Sequence, residues 1–175
     1  MFSHGLTPPE AIARISGTAE VESKTYSNHP IPGQTTIAII GHPYLLYDEY
    51  INHRLIHRLK QAQNKVLTPE MLTSEELESA TARLVGRAKW TCEEEVIGAG
   101  GHYLRNGVDG VIGITAFGCG PDSLMMDIVQ RQARTVTTPF MSLTLDEHTA
   151  EAGIVTRLEA FLDMLYRKKR KRVCV

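Results

Sequence analysis

The sequence is short of several things, and each shortage excludes something. No apolar run approaches the roughly 18 residues that a membrane-spanning helix needs. Only 3 cysteines occur, an odd number that argues against a disulfide framework. A reducing, cytoplasmic setting is therefore the expectation. Aromatic residues make up 6% of the chain, with a single tryptophan. Trp90, with Tyr103, is read as packing and not as a base-stacking platform. The opening Met1-Phe2-Ser3-His4 has neither a basic start nor a long apolar stretch, so no secretory signal is expected.

An excess of one charge is also missing overall, the net being −1, but the distribution is uneven. Six of the 19 cations lie in Arg167–Arg172, so 13 cations face 20 acids elsewhere and that remainder carries −7. An acidic body is a poor platform for nucleic acid. The basic run reads as a solvated helix end, where cations suit the negative pole of the helix dipole. What is present fits a soluble globular protein: 175 residues, 42% apolar and 22% charged, enough for one domain.

Residues 1–34 differ in character from the rest of the chain, with Pro8, Pro9, Pro30 and Pro32 among small polar residues. Thr7-Pro8-Pro9-Glu10 reads as a capping box opening a short helix near Ala11–Ile15. From residue 35 the pattern alternates strand and helix. Thr35–Ile40 is apolar and β-branched, as a buried parallel strand requires. Tyr47 to Gln63 is expected to be one helix, with Tyr47, Ile51, Leu55 and Leu59 on one face. Lys65–Leu67 is a short second strand, and a helix capped at Ser74 comes next. A further helix spans Thr91–Arg105 and stops at Asn106-Gly107. Val108–Thr115 is the third strand, Leu124–Arg134 a helix, Pro139–Leu145 the fourth strand and Ala150–Lys169 the last helix. This order predicts an α/β fold, a Rossmann-like or flavodoxin-like sandwich on a four-stranded parallel sheet ordered 2-1-3-4. The domain is expected over 35–169, with a basic tail at 170–175.

In a parallel sheet the loops after the strands' C-terminal ends meet at one edge, and ligands bind there. Three such loops carry the chemistry: Gly41-His42-Pro43-Tyr44, then Gly118-Cys119-Gly120-Pro121-Asp122-Ser123, then Asp146-Glu147-His148-Thr149. Cys119 sits between two glycines before a helix, whose N-terminus favours a thiolate able to bind metal or attack. It is a metal ligand, a redox thiol or a buried inert cysteine. His42 is a ligand, a proton donor or a histidine that bonds loop backbone. Asp146, Glu147 and His148 are ligands or acid–base groups, or the first turn of the last helix. Cys92 and Cys174 make no local chelate with Cys119. Glu151 and Arg157, six apart, are not a helical ion pair. Gly98-Ala99-Gly100-Gly101 falls inside a helix and reads as a close-packing patch, not as a dinucleotide loop. No phosphate-binding lysine loop, nucleophile elbow or HExxH zinc motif occurs.

The stretches Gly41–Asp48, Phe117–Ser123 and Asp146–Gly153, followed by Thr156–Phe161, resemble the acyl-CoA dehydratase activase-related proteins. These are also described as CoA-substrate-specific enzyme activase-related, a domain of unknown function akin to the D-component of 2-hydroxyacyl-CoA dehydratases. The likeness covers roughly residues 35–167. It implies an α/β subdomain of an iron–sulfur protein, typically from an anaerobic bacterium. It implies Cys119 as a ligand of a [4Fe–4S] cluster, with His42, Tyr44, Gly118, Gly120, Asp122, Ser123, Asp146, Glu147 and His148 as cofactor-binding candidates. A dehydratase-like or activase partner is implied with it. One cysteine cannot hold a cubane that takes four ligands, so a partner chain, a homodimer or exogenous ligands would complete the set. The chain lacks the nucleotide motifs of an ATPase activase. Two other readings stand beside this one. The first is a non-catalytic module binding coenzyme A or another anion at a helix N-terminus. The second is a small metal-dependent hydrolase using His42, His148 and Asp146 or Glu147.

Overall fold

The apolar run at residues 36–40 forms a strand, β1 (Thr36–Ile40), whose last four residues are buried. Branched side chains favour the extended backbone, and burial on both sides requires cover on both faces of the sheet. The computed structural model describes residues 34–173, and the capping box and helix expected at Thr7–Ile15 lie outside them. Three more strands complete the sheet, β2 (Lys65–Leu67), β3 (Gly110–Ala116) and β4 (Phe140–Leu145). All pair in parallel, in the order β2-β1-β3-β4. Ile37 lies opposite both Val66 and Gly110, and Ile112 opposite Met141. This is the α/β sandwich expected from the sequence, with the expected strand order.

The first crossover differs from expectation. In place of one helix from Tyr47 to Gln63 there are two, α1 (Pro43–Tyr47) and α2 (Leu55–Gln61). Two polar side chains divide them. Asp48 Oδ1 accepts the amides of Tyr50 and Ile51, bending the chain out of α1. Asn52 is buried and donates to the Leu45 and Leu46 carbonyls while accepting the Leu55 amide, so it closes α1 and opens α2. His53 and Arg54 take positive φ to complete the turn. The expected apolar face is halved: Leu55 and Leu59 are buried, whereas Ile51 is exposed.

The second crossover holds α3 (Ser74–Val85), then α4 (Thr91–Glu93), a π turn (Glu94–Gly98) and α5 (Ala99–Arg105) in one continuous run. The cap of α3 is Thr73, not Ser74. Thr73 Oγ1 accepts the Glu76 amide and the Glu76 carboxylate accepts the Thr73 amide, a reciprocal pair that satisfies two free helix donors. The glycine patch does pack closely. A Cβ on Gly98 would stand 2.6 Å from the Leu77 carbonyl, and one on Gly100 2.5 Å from Val129. Tyr103 is buried and donates to the Thr68 carbonyl at 2.7 Å. Trp90 departs from expectation, being 60% exposed at the N-cap of α4.

The remaining helices are α6 (Gly120–Thr135) and α7 (Glu151–Val173). Proline in the first turn starts α6 four residues earlier than expected, at Gly120. One face of the sheet packs on α1, α2 and α7 through Ile37, Ile39, Leu59, Ile114, Leu158 and Leu165. The other packs on α3, the π turn, α5 and α6 through Ala38, Ile40, Val111, Ile97 and Val129. The basic run is helical through Val173. Lys168 donates to the Thr137 carbonyl, and Lys169 pairs with Asp109 Oδ2 at 2.8 Å, which also accepts the Thr36 amide. The end of α7 is thus fastened to the starts of β1 and β3. Glu151 pairs with Arg58, and Arg157 donates to the Ser142 carbonyl, so both have partners other than each other.

The packing and the cap can each be tested by unfolding. Gly100→Ala gains about 1 kcal/mol of helix propensity but sets a methyl against buried Val129, at an overpacking cost of about 1–3 kcal/mol. The expected result is a net loss in the urea midpoint. Thr73→Ala removes the cap, with an expected loss of about 1 kcal/mol at neutral pH. The Thr73 amide holds the Glu76 carboxyl below its usual range. Its stabilisation is therefore full above the unfolded carboxylate range and lost as pH falls through the lower folded value. The gap between wild type and Glu76→Gln should narrow on acidification below about pH 4.

Candidate functional site

The order β2-β1-β3-β4 reverses direction between β1 and β3, because the chain leaves β1 towards β2 and leaves β3 towards β4. At such a switch point the loops diverge and leave a crevice. Both of the first two loops singled out in the sequence open here. Gly41 passes so close to β3 that a Cβ would lie 2.7 Å from the Ile114 carbonyl. His42 then caps α1, its carbonyl accepting the Leu45 and Leu46 amides. After β3, Phe117 donates to the Leu145 carbonyl and Cys119 to the Ala116 carbonyl, closing a tight turn with Gly118 at φ 79°. Cys119 caps α6, its carbonyl accepting both the amide and the hydroxyl of Ser123.

A single hydrogen bond joins the two loops. His42 Nε2 lies 2.7 Å from Asp122 Oδ1, and the Asp122 side chain is 2% exposed. Asp122 Oδ2 is buried without a hydrogen-bond partner of good geometry. The carboxylate nevertheless acts on its neighbours. The Asp122 amide, directed at the Cys119 sulfur, pulls the thiol down. The Asp122 carboxylate's hydrogen bond and charge, together with burial, outweigh it, and the thiol stands above its usual range. This corrects the expectation of a thiol lowered by the helix N-terminus: a buried carboxylate already occupies that position. The Tyr44 ring stacks on His42 with centroids 5.7 Å apart and planes 17° apart. Its hydroxyl is raised by burial, then by the charges of Asp122 and Cys119. His42, Tyr44, Cys119 and Asp122 therefore form one group, with Gly118, Gly120 and Ser123 shaping its turn.

Asp146, Glu147 and His148 do not join that group. Asp146 Oδ1 accepts the His148 amide and the Thr149 hydroxyl, and Thr149 Oγ1 accepts the Asp146 amide. The Thr149 hydroxyl is the main reason that the Asp146 carboxyl is lowered. Glu147 and His148 are exposed and lie 3.7 Å apart. The loop packs instead on the turn between α1 and α2, where His53 Nε2 donates to the Thr149 carbonyl at 3.1 Å. Among the described residues, no three His, Cys, Asp or Glu side chains come together as a set able to hold a metal ion.

Glu95 was not legible as a site residue. It lies in the π turn, where burial and then the charge of Glu70 raise its carboxyl against the opposing influence of His42. Glu70 in turn accepts the Tyr47 hydroxyl at 2.5 Å. The run Glu93-Glu94-Glu95 was visible, but a π turn leaves no periodicity by which to choose among its members.

Residues 10–72 match the family model described as a CoA enzyme activase uncharacterised domain, DUF2229. This stretch is an activase-related domain of unknown function. The activase-related stretch contains β1, α1, α2 and β2, hence His42 and Tyr44, and it reaches upstream of the likeness seen in the sequence. Cys119 and Asp122 lie beyond its C-terminal limit. No curated protein and no solved structure matches the chain.

Replacing Asp122 by asparagine removes the negative charge beside the sulfur and leaves the amide. In a chain with Cys92 and Cys174 changed to serine, iodoacetamide should alkylate Cys119 of the Asp122→Asn form faster at neutral pH, because a larger share of the thiol is ionised. Intact-mass time courses measure this directly.

Proposed function

We propose that this chain is an accessory module of a dehydratase-type, activase-linked system, offering Cys119 as one ligand of an iron–sulfur cluster completed by a partner or a second copy. The observation that carries the reading is the position of Cys119. Its thiol is half-buried in the turn at the switch point, beside Asp122, whose carboxylate bonds His42. Exposed Phe117 and Leu124 flank it in sequence, and Tyr44 is exposed on the facing loop. The activase-related stretch, which supplies His42, supports the association with an enzyme partner.

The described residues do not make a complete cluster site, since no three suitable side chains converge and a cubane takes four ligands. What the chain itself contributes is a presented thiol, a hydrogen-bonded His–Asp pair that fixes the crevice, and apolar side chains for docking. Two observations weigh against the alternatives. The buried Asp122 carboxylate already occupies the N-terminal turn of α6, where an anion would otherwise bind. The hydrolase reading needs His148 near His42, and His148 is exposed beside Glu147 on a turn whose Thr149 carbonyl accepts His53.

The test is iron and sulfide content after oxygen-free reconstitution. Wild type with its dehydratase-like partner should bind both, and Cys119→Ala should lose most of the bound iron and the charge-transfer absorbance. Equal iron in the variant would remove the reading.

A further inference from the structure

Two helical runs leave the crevice side by side on one face of the sheet. The run from Thr91 to Arg105 leads into β3, and α6 leads from β3 to β4, so both run from the crevice towards the starts of the strands. They are therefore parallel, and Gly100 against Val129 fixes their close approach. Cys92 is eight residues before Gly100, and Cys119 is ten before Val129. At about 1.5 Å per residue Cys119 lies roughly 15 Å back, and Cys92, with the wider π turn on its path, roughly 10 Å back along the neighbouring axis, so both sit towards the crevice end. Both thiols are free and half-buried. On either side of Cys119, Gly118 and Gly120 have nothing within 4 Å of an added Cβ, so the turn has open space in which to move.

We propose that Cys92 and Cys119 are a redox pair that closes into an intramolecular disulfide by exchange with a small disulfide. One cysteine attacks the small disulfide as thiolate, forming a mixed disulfide and releasing one thiolate. The other then attacks the protein-side sulfur, releasing the second thiolate and forming the Cys92–Cys119 bond. The two cysteines lose two electrons and two protons, and the small disulfide is reduced to two thiols. This pairing stands independently of the cluster reading, because it requires neither iron nor a partner.

The experiment uses the full chain with Cys174→Ser, free of metal, incubated with glutathione disulfide. The expected product is a monomer lighter by two hydrogens, without glutathione attached, and reversed by dithiothreitol. Peptide mapping should join the Cys92 and Cys119 peptides. In Cys92→Ser, the glutathione adduct should persist on Cys119. Stable adducts on both cysteines, cross-linking between chains, or no reaction would each overturn the pairing. Phenylarsine oxide supplies a second measurement on folded wild type. One arsenical should bridge both thiols, and binding should fall at least tenfold in either single Cys→Ser variant. Retention of wild-type binding in those variants would overturn it equally.

Discussion

The structure depends on the handedness of its crossovers. A right-handed connection from β1 to β2 places α1 and α2 on one face, and the longer connection from β2 back to β3 places α3 to α5 on the other. Once β1 and β3 are neighbours, their outgoing loops must part in opposite directions. The crevice arises from topology before any side chain is chosen. The His42–Asp122 hydrogen bond then spans it, linking residues 80 apart in sequence. The bond is half-shielded from water, which strengthens it and gives the crevice a fixed width.

The strands were legible because a parallel sheet covered on both faces asks for short, continuous apolar runs, which Ile37–Ile40 and Val111–Ile114 supply. The order of the strands followed from the connections. The break between α1 and α2 was hidden because Tyr47, Ile51, Leu55 and Leu59 keep helical spacing through it. What divides them is hydrogen bonding by Asp48 and buried Asn52, and a polar side chain declares its partners only once the chain has folded.

The candidate site was legible in the same uneven way. Position on a rim is set by strand ends, so His42 and Cys119 could be placed together. Whether a third loop reaches them depends on how the loop folds on itself. Asp146 and Thr149 bind one another and turn that segment towards His53. The sign of the influence on Cys119 could not be foreseen either. A helix N-terminus attracts negative charge, and here a buried acid, Asp122, stands in that first turn and raises the thiol beside it. Trp90 shows a further limit, since a large apolar residue at a helix start carries no mark of which way it faces.

The π turn at Glu94–Gly98 has a geometric consequence of its own. Such a turn amounts to one residue inserted in an otherwise regular spiral. Everything ahead of it is rotated by about 100° relative to a plain α-helix, while everything after it keeps its seat. Gly100 and Tyr103, which follow the turn, keep their places in the interior. The direction faced by Cys92, which precedes the turn, is set by the insertion itself. Equipment at the mouth of the crevice can thus be exchanged by a one-residue slip, with the interior left undisturbed.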